Sequence, residues 1–383
     1  MNKNWLARSA CVGTALFAIA GHAYAADGSK LRFPLSGSLG GEIAAKQLTP
    51  GLYGSVVVTQ IEVDKVTGDD GNALKLVQAK AFLQPVTIPL PSPTGPVPTA
   101  MTVSSNFSGS ATVAVKQSQT VSNILLGYLT ETEYAGGRLN LLVNIPYMSL
   151  NRTFSLTGDT PTLAPLSSSV PGPQAAAAAA GLQPNIQGQF ALKYQAQLAA
   201  NSTAASGSAA DLGDMEVTGA WVRQTDDMKI IVGATLAMPT AKYDKNSVLN
   251  TGFGNYYTLR PGVAVSGRAS EDLTLGAKVS LGLNSPNNDN GVRTGNFVGL
   301  DLAAAYLTPV GVFGPHVMYV SQYEDDQGGT FGGNRFNATG AGVFYTTLIR
   351  PINAGLNFSY MQMLNSRNAL SGSFVQIRLT KAF

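Results

Sequence analysis

The sequence is poor in the residues that most enzymes and soluble domains need. Cysteine occurs once, at Cys11, and histidine twice, in a chain of 383 residues of which only 12% are charged. That charge content is about half of what soluble domains carry. A single cysteine excludes a disulfide scaffold and a thiolate metal centre. Without spaced His or Cys there is no metal-ligand cluster, and no glycine-rich stretch leads into a phosphate-loop lysine. No cofactor is therefore expected. The formal net charge of +3 gives no support for nucleic-acid binding. Long hydrophobic runs are also missing: beyond the N-terminus none approaches the ~18 residues of a spanning helix.

The N-terminus reads as an export signal. Lys3 and Arg8 precede an apolar run from Ala10 to Ala20, and Ala23-Tyr24-Ala25 offers small residues to a signal peptidase. Residues 1–25 are expected to be cleaved off, leaving 26–50 as a periplasmic segment. Cys11 opens the apolar run instead of closing it, which argues against a lipid anchor. Removing Lys3 and Arg8 leaves 23 basic against 22 acidic residues, a net charge of +1.

Period-two alternation dominates the rest. Leu273, Leu275, Ala277, Val279, Leu281 and Leu283 alternate with Thr274, Gly276, Lys278, Ser280 and Gly282. Val298, Leu300, Leu302, Ala304 and Tyr306 do the same, as do Val375, Ile377, Leu379 and Phe383. Such segments are strands, and at ~9–11 residues or more each can cross a bilayer when tilted. Short turns at 134–137, 225–227, 269–271, 308–311 and 348–350 alternate with longer polar links at 240–254, 284–294, 324–334 and 364–369. This is the pattern of an all-β, antiparallel transmembrane barrel. About 12 strands are expected, over residues 51–65, 101–130, 137–150, 211–224, 228–240, 255–268, 272–285, 294–308, 312–324, 334–348, 351–364 and 370–383. The expected location is the outer membrane of a Gram-negative bacterium, with outer-membrane lipid around the wall. The terminal Phe383 suits recognition by barrel-assembly machinery, although Lys381 departs from the usual apolar residue.

Within 51–383 two insertions interrupt the pattern. Residues 66–100 suggest a short hairpin followed by a proline-rich run, which cannot be central sheet because proline removes ladder donors. Residues 156–210 are rich in Ala, Ser and Pro. By strand parity both lie outside the cell, either as variable loops or as a lid over the mouth.

Charges inside strands are more informative. Asp214, Glu216, Arg260, Lys278, Asp301 and Arg378 lie opposite the apolar rows. An Arg or Lys facing lipid at the midplane costs about 2–4 kcal/mol, so these six are expected to point inward and line a pore. They could form a structural charge network, a polar constriction, or both. Tyr53, Tyr128, Tyr147, Trp221, Tyr257 and Tyr306 fall near strand ends or in outward rows, where an aromatic girdle accounts for most of them. His316 is the one histidine left for catalysis, and no characteristic serine motif accompanies it. No catalytic residue is expected.

Several motifs carry a family resemblance. Asp211-Leu212-Gly213-Asp214-Met215-Glu216-Val217-Thr218, the stretch Val232 to Asp244 (VGATLAMPTAKYD) and Asn255-Tyr256-Tyr257-Thr258-Leu259-Arg260-Pro261-Gly262 occur in the family's order. Pro50-Gly51-Leu52-Tyr53 and Gly136-Gly137 fit as well. The chain resembles the meta-pathway phenol-degradation (SphA-like) outer-membrane proteins over most of its length. It departs in having Arg260 where the family often has an acid, and in its longer insertions. The resemblance implies uptake of small hydrophobic or aromatic solutes and no enzymatic step. The expectation is passive transport through a narrow charged lumen. The alternative is a non-conducting structural or binding barrel that acts through its outer loops, and a membrane-embedded hydrolase built on His316 is a third.

Overall fold

A computed structural model describes residues 49–91, 95–244, 247, 249–328 and 335–383. The expected signal peptide and nearly all of the expected periplasmic segment lie outside the described residues. The elements are β1 (Gly51–Val66), β2 (Lys75–Leu90), β3 (Val97–Tyr134), β4 (Gly137–Thr157), β5 (Ser167–Ser168), α1 (Pro173–Ala204), β6 (Gly207–Leu212), β7 (Glu216–Gln224) and β8 (Met228–Ala237). They continue as β9 (Thr258–Arg268), β10 (Leu273–Asn284), β11 (Phe297–Thr308), β12 (Gly311–Gln322), β13 (Asn337–Ile349), β14 (Ala354–Arg367) and β15 (Leu370–Ala382). The chain forms two compact units. Lys75–Ala114 and Phe154–Ala205 make one, while residues 49–74, Val115–Thr153 and Ser206–Phe383 make the other. Strands β3 and β4 each run through both.

The larger unit is a closed antiparallel barrel. Its wall runs β1-β3-β4 and then β7 through β15 in sequence order, and β15 returns to pair with β1. The closing seam holds from Tyr53↔Ala382 to Val66↔Leu370. Twelve strands result, and their order follows from short connections, which make sequential neighbours pair. Along each strand the side chains alternate between the two faces. On β10, Leu275, Val279, Leu281 and Leu283 are exposed, while Ser280 and Asn284 on the other face are buried. The same outward rows carry Val56, Val58, Ile124, Leu139, Leu302, Val317, Val343, Phe358 and Ile377. Those apolar rows face lipid, as a spanning barrel requires. Lys381 sits in an outward row with its ammonium 5.8 Å from the centre of the Phe383 ring.

Three expectations need correction. The link after β14 is not long: β14 continues to Arg367, and Asn368 and Ala369 alone turn the chain into β15. Asn368 takes a φ of 51°, a left-handed conformation that Asn tolerates. Residues 211–224 are not one strand, because the chain breaks between Leu212 and Glu216. Tyr53 is not a girdle residue. Its hydroxyl donates to Asn140 Oδ1 at 2.9 Å, and its ring lies so close to Gly127 that any Cβ there would overlap it. Tyr128, Tyr147, Tyr257 and Tyr306 are exposed.

The smaller unit corrects the reading of both insertions. Residues 156–210 hold a 32-residue helix, α1, in place of a loop. Pro173 occupies its first turn, where the missing N–H costs nothing. The following run from Ala175 to Ala180 has the highest helix propensity available. Ile186, Phe190, Tyr194 and Leu198 recur every four residues and form its buried face. That face packs against the β2–β3 hairpin, where Phe190 meets Phe82 at 5.8 Å and Phe107 at 4.9 Å between ring centres. Three glutamines fasten the segment before the helix. Gln183 Oε1 accepts from Leu166 N at 2.9 Å, Gln187 Oε1 from Leu163 N at 2.8 Å, and Gln195 Nε2 donates to Gly158 O at 3.0 Å. The proline-bearing segment is a 16-residue strand, β2, and it lies at the sheet edge. Pro85 and Pro89 are accommodated there because an edge strand has one row of groups outside the ladder.

Phe190→Ala is expected to destabilise the smaller unit by about 3–5 kcal/mol. The change should appear as proteolysis within residues 158–204 under conditions that leave the folded barrel band intact on a gel. Val279→Arg is expected to cost about 2–4 kcal/mol of barrel stability in lipid vesicles, measured by denaturant titration.

Candidate functional site

The barrel unit encloses a cavity of ≈ 610 Å³ with two unlike walls. Asp214, Glu216, Arg260 and Lys278 come from consecutive parts of the wall, from the β6–β7 break to β10, and Arg378 from β15. Met318, Val320, Phe336, Met363 and Phe374, from β12 to β15, line another part. Of these, Met318, Val320 and Phe374 pack with Phe297 and Met361 into one buried cluster. The ring of Phe297 lies against Gly282, where a Cβ would overlap it. Glycine at that position therefore sets how far the cluster can lean toward β10.

The six charged candidates divide into four groups. Arg260 and Glu216 form an ion pair of 2.6 Å, with side chains 5% and 25% exposed. Asn144 Nδ2 reaches the other oxygen of Glu216 at 3.5 Å. Taking the pair out of water is costly, and its geometry offsets that cost only while both partners are present. Asp214 plays a different part. It occupies the break between β6 and β7, and its two oxygens accept backbone N–H groups of Ala241 at 3.1 Å and Phe253 at 3.0 Å. Thr240 Oγ1 accepts from Met215 N at 2.8 Å, and Thr251 Oγ1 donates to Leu212 O at 3.0 Å. These four bonds tie the link between β8 and β9 to the break, and Asn250, Thr251, Gly252 and Phe253 line the cavity. Lys278 and Arg378 line it too. Asp301 is buried, stands opposite Lys278 in the β10–β11 register, and is not part of the cavity lining.

Sequence reasoning missed two things. Arg152 is buried in the cavity wall and donates through Nε to Gln117 Oε1 at 2.7 Å. It escaped notice because β4 extends to Thr157, past the expected end at 150. The apolar wall was missed because strands were read for one apolar face. In β12 both faces are apolar, Val317 and Tyr319 outward and Met318 and Val320 inward. The continuous run Val317-Met318-Tyr319-Val320 was the available signal. His316 is buried, with Nε2 3.2 Å from Tyr360 O and its ring edge-on to Phe344 at 6.0 Å. No group of residues that could hold a metal ion occurs among the described residues.

Asp214→Ala removes both acceptors of the β8–β9 link. Hydrogen bonds to a charged group are worth about 1.5–3 kcal/mol each, so amide exchange at Ala241 and Phe253 should quicken at least tenfold. Hydrogen–deuterium exchange of the folded barrel measures this. Unchanged protection at both amides would show that the link is held by other contacts.

Among solved structures, an outer membrane channel of Pseudomonas putida F1 is 15% identical over 90% of this chain and 98% of its own, with a TM-score of 0.56. A FadL homologue of Pseudomonas aeruginosa is 11% identical over 95% and 98%, with a TM-score of 0.37. The toluene transporter TodX of Pseudomonas putida is 10% identical over 94% and 96%, with a TM-score of 0.33. No curated protein matches the sequence. The fold shared with the first, and the lipid-facing band, place the chain in the outer membrane of a Gram-negative bacterium. The model of the family described as the MetA-pathway of phenol degradation matches residues 104–379, and the chain belongs to that family.

Proposed function

We propose that the chain is a passive outer-membrane channel for small hydrophobic or aromatic solutes, which cross through a narrow charged lumen. The observation that carries this reading is the two-sided cavity. Glu216, Arg260 and Lys278 line one part of it, and Met318, Val320 and Phe374 line another. Such a lumen offers contact area to an apolar body and orientation to a polar group. It gives hydrated ions little room. A barrel of this strand number has an interior largely filled by its own side chains, so wide-pore diffusion is not part of the reading. The family's description supports an aromatic solute, and the channel of Pseudomonas putida F1 supports passage. Asp214, Glu216, Arg260, Lys278 and Arg378 are assigned as the polar constriction. Insertion by barrel-assembly machinery belongs to the same reading, and no catalysis is proposed.

Proteoliposome flux of a neutral aromatic such as benzyl alcohol tests the proposal. Arg260→Ala and Glu216→Ala, alone and together, should raise solute flux and single-channel conductance several-fold, because each removes a side chain from the constriction. If conductance and flux stay unchanged in both, the constriction assignment fails. If the intact protein never passes a solute, the barrel is a non-conducting one that acts through its outer loops.

A further inference from the structure

Two neighbouring side chains in the cavity wall are left without partners. Lys278 and Ser280 lie two residues apart on the inward face of β10, and both line the cavity. No ion pair or hydrogen bond engages Lys278 among the described residues, although five other ion pairs do form there. Ser280 is only 6% exposed, and its Oγ has no hydrogen-bond partner. A buried hydroxyl left unpaired costs about 1–3 kcal/mol, so its persistence in a lumen wall points to a ligand atom. The acids that could neutralise Lys278 from within the cavity are already engaged. Asp214 is held by two backbone amides, Glu216 by Arg260, and Glu62 accepts from Gln60 and Ser118.

The register shows what lies around this pair. Across four strands, Gly262, Ser280, Gly299 and Val320 stand in one row. Ala264, Lys278, Asp301 and Met318 stand in the next. Gly299, which carries no side chain, stands in the register between Ser280 and Val320, and those two line the cavity. The strands carrying those two groups are two spacings apart, about 10 Å, which is the length of a monocyclic organic acid with its contacts. Asp301 is buried in the second row and, unlike Lys278, does not line the cavity. A ligand in the lumen thus meets the ammonium rather than the carboxylate.

We propose that Lys278 and Ser280 form a carboxylate subsite, fitted to a planar organic acid whose apolar body lies against Val320 and Met318. The carboxylate accepts from Lys278 Nζ and Ser280 Oγ. The proposal rests on the reading of the lumen as a solute path and narrows its solutes to aromatic acids. A neutral aromatic would leave both donors unsatisfied and would bind more weakly.

Benzoate titrated calorimetrically into the purified full-length barrel in detergent tests the subsite, with phenol and benzyl alcohol as neutral probes. Saturable benzoate binding is expected, at least tenfold tighter than that of either neutral probe. Lys278→Met should weaken it tenfold or more, Ser280→Ala several-fold, and Lys278→Arg should retain most of it. Absent benzoate binding, equal affinity in the wild type and Lys278→Met, or equal affinity for phenol would each overturn the proposal. If Lys278→Met does not fold, Ser280→Ala and the neutral probes still decide. Benzyl alcohol flux through the wild-type protein in liposomes separates the two readings. Flux without benzoate binding sinks the subsite and keeps the channel, while benzoate binding without flux does the reverse.

Discussion

Inside a bilayer no solvent can satisfy a backbone amide, so every strand of the wall needs a neighbour on both sides. The pairing of β1 with β15 is where that requirement is met last along the chain. Side chains reinforce it from the inside: Gln376 Nε2 donates to Thr59 Oγ1 at 3.0 Å, and Ser55 and Thr380 hydroxyls meet at 2.7 Å. The rest follows from closure. A closed wall fixes which side chains face in, and an alternating sequence then sorts apolar rows outward and charges inward. The lumen is thus a by-product of satisfying the backbone, and its chemistry depends on what each strand places on its second face.

Much of the barrel was legible because its physics is local. Alternation in β10 and β11 and the short turns between strands are properties of adjacent residues, and they located the strands to within a few positions. The parts that were not legible depend on distant partners. Nothing near Asp214 announces that the chain breaks there, since the break is stabilised by amides of Ala241 and Phe253 supplied by another link. The helix α1 was hidden by composition. Its alanines and prolines resemble a loop, yet Ile186, Phe190, Tyr194 and Leu198 hold a four-residue spacing that marks a buried helical face. Tyr53 could not be told from a girdle residue by its place at a strand end, because its direction depends on Gly127 across the ladder.

The candidate charges were legible as inward groups, but their division of labour was not. An ion pair, a loop anchor and an unpartnered ammonium look alike in a sequence that lists only residue types. What separates them is register. Arg260 finds Glu216 from two strands away, with β8 between. Lys278 instead stands between Ala264 and Asp301 and pairs with neither. The inward apolar cluster escaped for the same reason, since a strand apolar on both faces shows no alternation at all.

Two patches of the lumen wall, one ionic and one apolar, come from different stretches of chain. Asp214, Glu216, Arg260 and Lys278 come from residues 214–278, and Met318, Val320, Phe336, Met363 and Phe374 from residues 318–374. Selection can therefore act on them separately. Substitutions at Met318, Val320 or Met363 would resize the greasy half without disturbing the Arg260–Glu216 pair, and changes around Lys278 would alter polar preference while leaving the hydrocarbon fit alone. A family built on this plan can drift between solutes one property at a time. A designer could recombine the N-terminal and C-terminal halves of related barrels to mix shape preference from one parent with charge preference from the other.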